Sequence, residues 1–292
     1  MSFQSNKTIV IGLEDNTISQ GIQDALKHMA KPDNNLTRIY DLRTNPDEDF
    51  MLHHIEKGHV GIVINLSMEN LINSNVVREI SYVSASIDKF YEKFYKKINL
   101  LGFQRHLIPS HILKSLEING KSNVSLGLVS QDMNTTEQIL RKSDMITFNL
   151  NSIKSSDIVG YSDGNPAGFS IEQFIQLAKY AGYSDYVKMI NFVLPKDLSE
   201  LSFPFISKLI ATCIWYFEES VSQTLLDSED DLILSIVENE SDFIYFFKSS
   251  TTGKCYFSYD EKTNKKSCSL QEYEDAIQKG EISERIERGA LN

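Results

Sequence analysis

Two groups of residues in this chain have side-chain types and spacings that bear on chemistry. The denser is His53-His54-x-Glu56-x-x-His59, imidazoles and a carboxylate of the kind that binds zinc. On a helix, however, His54 and Glu56 leave on different faces, and His59 falls at the start of the next strand. The cluster therefore reads as a solvated helix end. Asp88 and Glu92 form a second group, a carboxylate pair suited to acid–base work, with no nucleophile identifiable beside it. Two further histidines, His106 and His111, flank Pro109 without a recognisable site. Residues 160–164 lack the glycine spacing and the lysine of a phosphate cradle.

The elements that would position these groups follow from apolar periodicity. The stretch 144–182 is the clearest. Residues 145–150 form an apolar run with the length and flanks of a buried parallel strand. A polar loop containing glycine and proline follows. Ser170 then opens a helix, with Gln173 as the third residue of a capping box. Ile171, Phe174, Ile175, Ala178 and Ala181 give that helix an apolar stripe, and Gly182 is expected to stop it. Loops at the C-terminal ends of strands are where open α/β sheets bind ligands.

Further strands are expected at 8–13, 59–66, 81–87, 98–101, 124–129 and 188–194, with an edge-like strand at 36–42. Helices are expected from about 18 to 29, over 49–57, from near Pro109, and from an Asn134-x-x-Glu137 capping box to about 142. A strongly apolar helix is expected over 205–219. From about Leu232 the pattern turns antiparallel. Residues 242–249 and 254–259 flank Ser250-Thr251-Thr252-Gly253 as a hairpin, and a short helix follows over 270–279. The chain thus divides into an α/β domain over 1–228 and a β-hairpin/helix appendage over 229–292.

Phe148-Asn149-Leu150-Asn151, the loop to Asn165-Pro166-Ala167-Gly168-Phe169, and the helix end Tyr180-Ala181-Gly182 resemble a signature of the arginase/agmatinase/formiminoglutamase (ureohydrolase) family. In the family that signature reads S-F-D-x-D, a Pro-rich loop, then G-L-T-x-x-E, and its two aspartates are ligands of a manganese pair. Here both positions are asparagine. Gln173 stands where the family has the glutamate that engages the substrate's guanidinium. The family's G-G-D-H aligns with 65–69, where Met68 and its neighbours supply no histidine. Its D-A-H-x-D aligns with 88–92, keeping Asp88 but placing Phe90 and Glu92 at the other two ligand positions. Leu101-Gly102-Phe103-Gln104, the segment 138–143, and the strings FKSSTTGK and SCSLQEYEDAIQKGEI resemble a divergent bacterial branch with a C-terminal extension. The resemblance implies a three-layer α/β/α fold with a mainly parallel sheet, and assembly as a homo-oligomer.

Bulk composition narrows the function classes. The 292 residues are 41% hydrophobic and 24% charged, enough for one large core. Forty acidic residues against 29 basic ones give a net charge of −11, which repels phosphate backbones, so nucleic acid is not an expected partner. No stretch has the pattern of a signal peptide or the length of a membrane span, so membrane insertion is not expected. Cys213, Cys255 and Cys268 are odd in number and widely spaced. They point to reduced thiols in the cytoplasm and away from a zinc or disulfide framework. The expectation is a ureohydrolase-fold protein that is catalytically inactive and cofactor-free, with a binding or scaffolding role in a homo-oligomer or beside a protein partner. The alternative is a divergent hydrolase of C–N bonds in guanidino, formimino or amidine compounds. That enzyme would use a Mn2+ pair in a site rebuilt around Asp88, Glu92, Asn149 and Asn151.

Overall fold

The apolar runs become the strands of a parallel sheet. The structure, a computed structural model, describes residues 8–13, 16–31, 36–42, 48–66, 69–73, 76–89, 91–95, 97–118, 122–158, 160–161, 165–184, 186–196, 198–226, 229–239, 242–251, 253–260, 265–283 and 286. It falls into two compact units, Met1–Ser222 and Gln223–Asn292.

In the first unit the elements run β1 (Thr8–Leu13), α1 (Thr17–His28), β2 (Thr37–Leu42), α2 (Glu48–Glu56), β3 (Val60–Ile64), α3 (Glu69–Asn73), β4 (Ile80–Val83), β5 (Ile98–Phe103), α4 (Ser110–Ile118) and β6 (Val124–Ser125). They continue through α5 (Leu126–Gln131), α6 (Asn134–Arg141), β7 (Met145–Asn149), α7 (Ile171–Gly182), β8 (Met189–Val193) and α8 (Phe203–Leu226). Among the described residues the sheet has eight strands in the order β2-β1-β3-β8-β7-β4-β5-β6, and the recorded pairings are all parallel. The expected edge strand is β2, at one end of that order.

A parallel sheet has to be covered on both faces, and two apolar clusters show that this one is. One face packs Ile9, Ile11, Ile62, Ile146, Phe148 and Ile190 against α1, α7 and α8. The other packs Val10, Val63, Tyr82, Met145 and Met189 against α2, α3 and α4. The result is a three-layer α/β/α unit. Each large apolar side chain fully removed from water contributes roughly 1.5–3 kcal/mol. Helix α8, 24 residues long, is the largest contributor, burying Ile206, Leu209, Ile210, Cys213, Ile214, Phe217 and Val221. It also buries Glu218, whose carboxylate takes Nε of Arg38 at 2.8 Å and so ties the edge strand β2 to the helix layer.

Five expectations change. The strand expected over 81–87 ends at Val83, after which Ser84 Oγ turns to Asn151 Oδ1 at 3.1 Å and the chain leaves the ladder. Residues 124–129 are not one strand: β6 ends at Ser125 after a register shift in its pairing with β5, and Leu126–Gln131 is helical. A short apolar run does not distinguish the two states by periodicity. Asn134 is the first helical residue of α6 and not its cap. Its backbone N–H donates to Asp132 Oδ1 at 2.9 Å, and Glu137 pairs with Arg141 at 2.7 Å one turn on. The strand expected over 59–66 stops at Ile64, where Asn65 takes φ 55, a conformation asparagine tolerates better than most residues. Gly182 does not end α7 in a left-handed turn. It is the last residue of the helix, and a Cβ there would lie 2.4 Å from the Phe217 carbonyl oxygen, so glycine permits the close approach of α7 and α8.

The second unit holds β9 (Leu232–Asn239), β10 (Asp242–Ser249), β11 (Cys255–Ser258) and β12 (Lys266–Cys268), then α9 (Leu270–Glu274) continuing into a π turn over Asp275–Lys279. The strands pair antiparallel in the order β12-β11-β10-β9. One face packs Ile244, Phe246, Cys255, Phe257 and Cys268 against Tyr273, Ala276 and Ile286. The expected hairpin is β10–β11, and Gly253 turns it at φ 70. No helix among the described residues is long and apolar enough to cross a membrane.

Because the Phe217 carbonyl is backbone and cannot swing aside, Gly182→Ala is expected to destabilise the chain by about 1–3 kcal/mol through overpacking. Urea unfolding checks this, and a variant as stable as the parent would remove the packing explanation for the glycine.

Candidate functional site

The C-terminal ends of β4, β7 and β8 converge on one polar cluster. Strand alternation sends Ile146, Phe148 and Ile190 to one face of the sheet and leaves Tyr82, Thr147, Asn149 and Asn191 for the other. All four are buried, Tyr82, Thr147 and Asn191 completely. Tyr91, from the short helical turn after β4, stacks on Tyr82 with ring centroids 4.0 Å apart.

The proton direction through this cluster can be derived. The backbone N–H of Asn151 can only donate, and it donates to Asn149 Oδ1 at 3.1 Å. The other atom of the Asn149 amide is therefore Nδ2, which donates to the Tyr82 hydroxyl at 2.8 Å. Having accepted that bond, Tyr82 gives its own proton to Asp88 Oδ2 at 2.9 Å. Asp88 Oδ1 accepts from Tyr91 N–H at 3.0 Å, and the Tyr91 and Thr147 hydroxyls bond at 3.0 Å. Asn151 Oδ1 accepts from Ser84 at 3.1 Å. Asn191 holds the chain after β3, accepting from Leu66 N–H and donating to Leu66 C=O at 3.0 Å. Burial, reinforced by the Asp88 charge, pushes the Tyr82 hydroxyl well above the usual phenol range, and burial does the same for Tyr91. Both phenols keep their protons at physiological pH.

Of the residues expected from the sequence, Asp88, Asn149 and Asn151 are brought together through Tyr82 and Ser84. Glu92 turns elsewhere, with His111 Nε2 at 3.5 Å. Gln173 is folded onto its own helix end, its Oε1 accepting from Ser170 N–H at 2.9 Å while Ser170 Oγ caps the Gln173 N–H at 3.3 Å. Met68 and Phe90 lie outside the described residues. Sequence reasoning missed Tyr82, Tyr91, Thr147 and Asn191, because polar groups inside apolar strands carry no periodic signal.

The loop beyond the cluster is pinned by the Leu101-Gly102-Phe103-Gln104 run. Gly102 has φ 78, and a Cβ on it would sit 2.3 Å from the Phe169 ring. Gln104 Nε2 donates to the Ala167 carbonyl at 2.7 Å. Phe169 in turn bridges to Ile153, and a Cβ on Gly168 would meet backbone atoms of 152–154 at 2.5–2.7 Å.

The histidine-rich segment lies at the opposite end of the sheet. His54 and His59 come together, Nδ1 to Nδ1 at 3.2 Å, whereas His53 and Glu56 are exposed. His59 lines a cavity of about 750 Å³ at the N-terminal ends of β3, β4, β7 and β8, with Arg78, Lys142, Asp144 and Lys188 among its walls. Asp144 there accepts from the backbone N–H groups of Arg78 and Glu79 and pairs with Lys188 at 3.0 Å. Among the described residues no group of three or more histidine, cysteine, aspartate or glutamate side chains could hold a metal ion.

A manganese pair fits this donor set poorly. Two of the positions the family resemblance assigns to it carry neutral amides. Their oxygens are already engaged by the Asn151 N–H and the Ser84 hydroxyl. Asp88 supplies a single negative charge, while two divalent ions require several anionic donors.

Solved structures share this architecture. A Trypanosoma cruzi formiminoglutamase with Mn2+2 matches with a TM-score of 0.56 and 14% identity, over 76% of this chain and 95% of that one. The Bacillus subtilis formimidoylglutamase matches with a TM-score of 0.55 and 12% identity, over 76% and 89%. An arginase from Bacillus cereus matches with a TM-score of 0.55 and 9% identity, over 73% and 98%. No protein-family model and no curated protein matches the sequence. The chain has the arginase-like ureohydrolase fold.

The Tyr82 hydroxyl has one proton and already donates it. With Asn149→Asp, two carboxylates face that proton, and the buried Tyr82 hydroxyl loses the donor from which it accepted. The variant is expected to lose about 1–3 kcal/mol at pH 8. Burial and Asp88 would raise the pKa of the new carboxyl, so the loss is absent below the unfolded value of about 4, where both states are protonated, and grows as pH rises from there to the raised value. Urea unfolding of parent and variant at pH 5 and pH 8 tests this, and a pH-independent difference would show the proton assignment to be wrong.

Proposed function

We propose that this chain is a non-hydrolytic protein on the ureohydrolase fold, acting by binding or scaffolding in the cytoplasm. It would assemble as a homo-oligomer or with a protein partner, and would need no cofactor. The observation that carries this reading is the hydrogen-bonded chain Asn151–Asn149–Tyr82–Asp88, which fills with two amides, a phenol and a single carboxylate the place where the resemblance puts several charged ligands. Gln173 supports it. A neutral amide turned onto its own N-cap offers a guanidinium neither charge nor a vacant oxygen. Metal-assisted hydrolysis needs bound ions to turn water into hydroxide near neutral pH, and no side chain of this cluster supplies that function.

One observation favours the alternative, a metal-dependent hydrolase of guanidino, formimino or amidine C–N bonds. Asp88 keeps its carboxylate exposed at the C-terminal end of the sheet, and the similar T. cruzi formiminoglutamase is described with two Mn2+ ions.

Elemental analysis of protein purified without chelators separates the two readings, together with assays on arginine, agmatine and formiminoglutamate with added Mn2+ or Zn2+. The expected result is no stoichiometric manganese and no urea, ammonia or formamide above a buffer control. Two equivalents of manganese, or turnover abolished by Asn149→Ala, would overturn the proposal. Light scattering on the same preparation reads the assembly state, and a strict monomer with no captured partner would remove the scaffolding role.

A further inference from the structure

The three cysteines are widely spaced in the chain, but the fold does not keep them all apart. Cys213 is alone in α8, fully buried, and burial pushes its thiol far above the usual range. Cys255 and Cys268 are different. They are directly opposite partners in the antiparallel β11–β12 ladder, on the same face of the sheet and in the same apolar cluster. Neither is in a disulfide. Directly opposed residues of an antiparallel pair lie about 4.5–5.5 Å apart at Cα, inside the roughly 4.4–6.8 Å that a disulfide spans.

We propose that Cys255 and Cys268 form a cross-strand thiol pair that low-molecular-weight disulfides, such as oxidised glutathione, convert to an intramolecular disulfide. Both side chains are nearly fully buried, so the route to them is local opening. The position of β12 supplies one: among the described residues it is the outermost strand of its sheet, and only Lys266–Cys268 pair. In the first step the Cys268 thiolate attacks the reagent disulfide, forming a mixed disulfide and releasing one thiolate. The Cys255 thiolate then attacks the Cys268 sulfur and expels the second. The two protons lost by the cysteines end on the two released thiols, and the reagent is reduced as the pair is oxidised. The crosslink would pin the outermost strand and shorten the loop of the unfolded chain, so the oxidised unit is the more stable one.

The test equilibrates the full-length chain across ratios of reduced to oxidised glutathione, quenches with acid, alkylates and maps the peptides. The expected result is a 255–268 crosslink that becomes the major species toward the oxidised limit, while Cys213 is alkylated throughout. Slow access is separated from unsuitable geometry by approaching from the other side. The chain is oxidised in urea, refolded and equilibrated in the same buffers, and both directions should meet at one ratio. Alkylation of Cys255 and Cys268 at every ratio from both sides would overturn the proposal. So would a crosslink through Cys213 or between chains, or an oxidised chain that fails to regain its native circular dichroism.

Discussion

A polar side chain inside a parallel sheet covered on both faces must find its partners within the protein, because neither face meets water. Much of this molecule's character follows from that requirement. Strands β4, β7 and β8 carry Ser81, Tyr82, Thr147, Asn149 and Asn191, every one of them buried. Ser81 pairs with Ser143, Thr147 with Tyr91, Asn149 with Tyr82, and Asn191 with the chain beyond β3. These bonds run laterally between strands and connecting segments, so the strand ends are cross-braced by side chains as well as by the backbone ladder. At the N-terminal end the brace is charged, with Asp144 held by Lys188 and two backbone N–H groups. At the C-terminal end it is mostly amide and hydroxyl, and Asp88 is the one carboxylate the described bonds bring into it.

The sheet was legible in the sequence because a strand buried on both faces must be continuously apolar, and runs such as 8–13 and 145–150 leave little choice of register or depth. The same rule explains where legibility failed. The run after Val124 is as apolar as a strand but too short for periodicity to settle, and a register shift in β5–β6 decides it. Asn134 has the spacing of a cap, yet Asp132 two residues earlier accepts the N–H that begins the helix. Gly182 has the identity of a helix stop but is needed for close packing on α8, a tertiary fact with no local signal. At the site, Asp88, Asn149 and Asn151 were reached through the family resemblance, and the capping role of Gln173 from its spacing to Ser170 alone. The tyrosines that determine the cluster's proton order lie in or beside apolar strands, where sequence reading sees only core.

The C-terminal unit obeys a different rule. Antiparallel strands can leave one face to other uses, and β10 shows this in part: Ile244 and Phe246 are buried against α9 and the turn after it, while on the opposite face Phe243 is exposed and Phe247 is buried. Four strands and a helix are enough for a real, if small, core, where a lone hairpin would be marginal in water. Within that core Phe246, Phe257, Tyr259 and Tyr273 are in edge-on or tilted contact.

The single proton on the Tyr82 hydroxyl has a consequence for how this sequence can change over time. Positions 82, 88 and 149 are linked in one donor–acceptor order, so substitutions at them are not independent, and contacts of this kind are where mutational effects fail to add. A carboxylate arriving at 149 while Tyr82 and Asp88 remain meets an occupied donor and a like charge. The same carboxylate arriving after a change at 82 still meets the Asp88 charge but no longer competes for the phenol's proton. The order of steps therefore matters more than their number. An exchange of amide for carboxylate at 149 is expected to be easier once the phenol has been replaced, and the hydroxyl acts as a gatekeeper on that substitution.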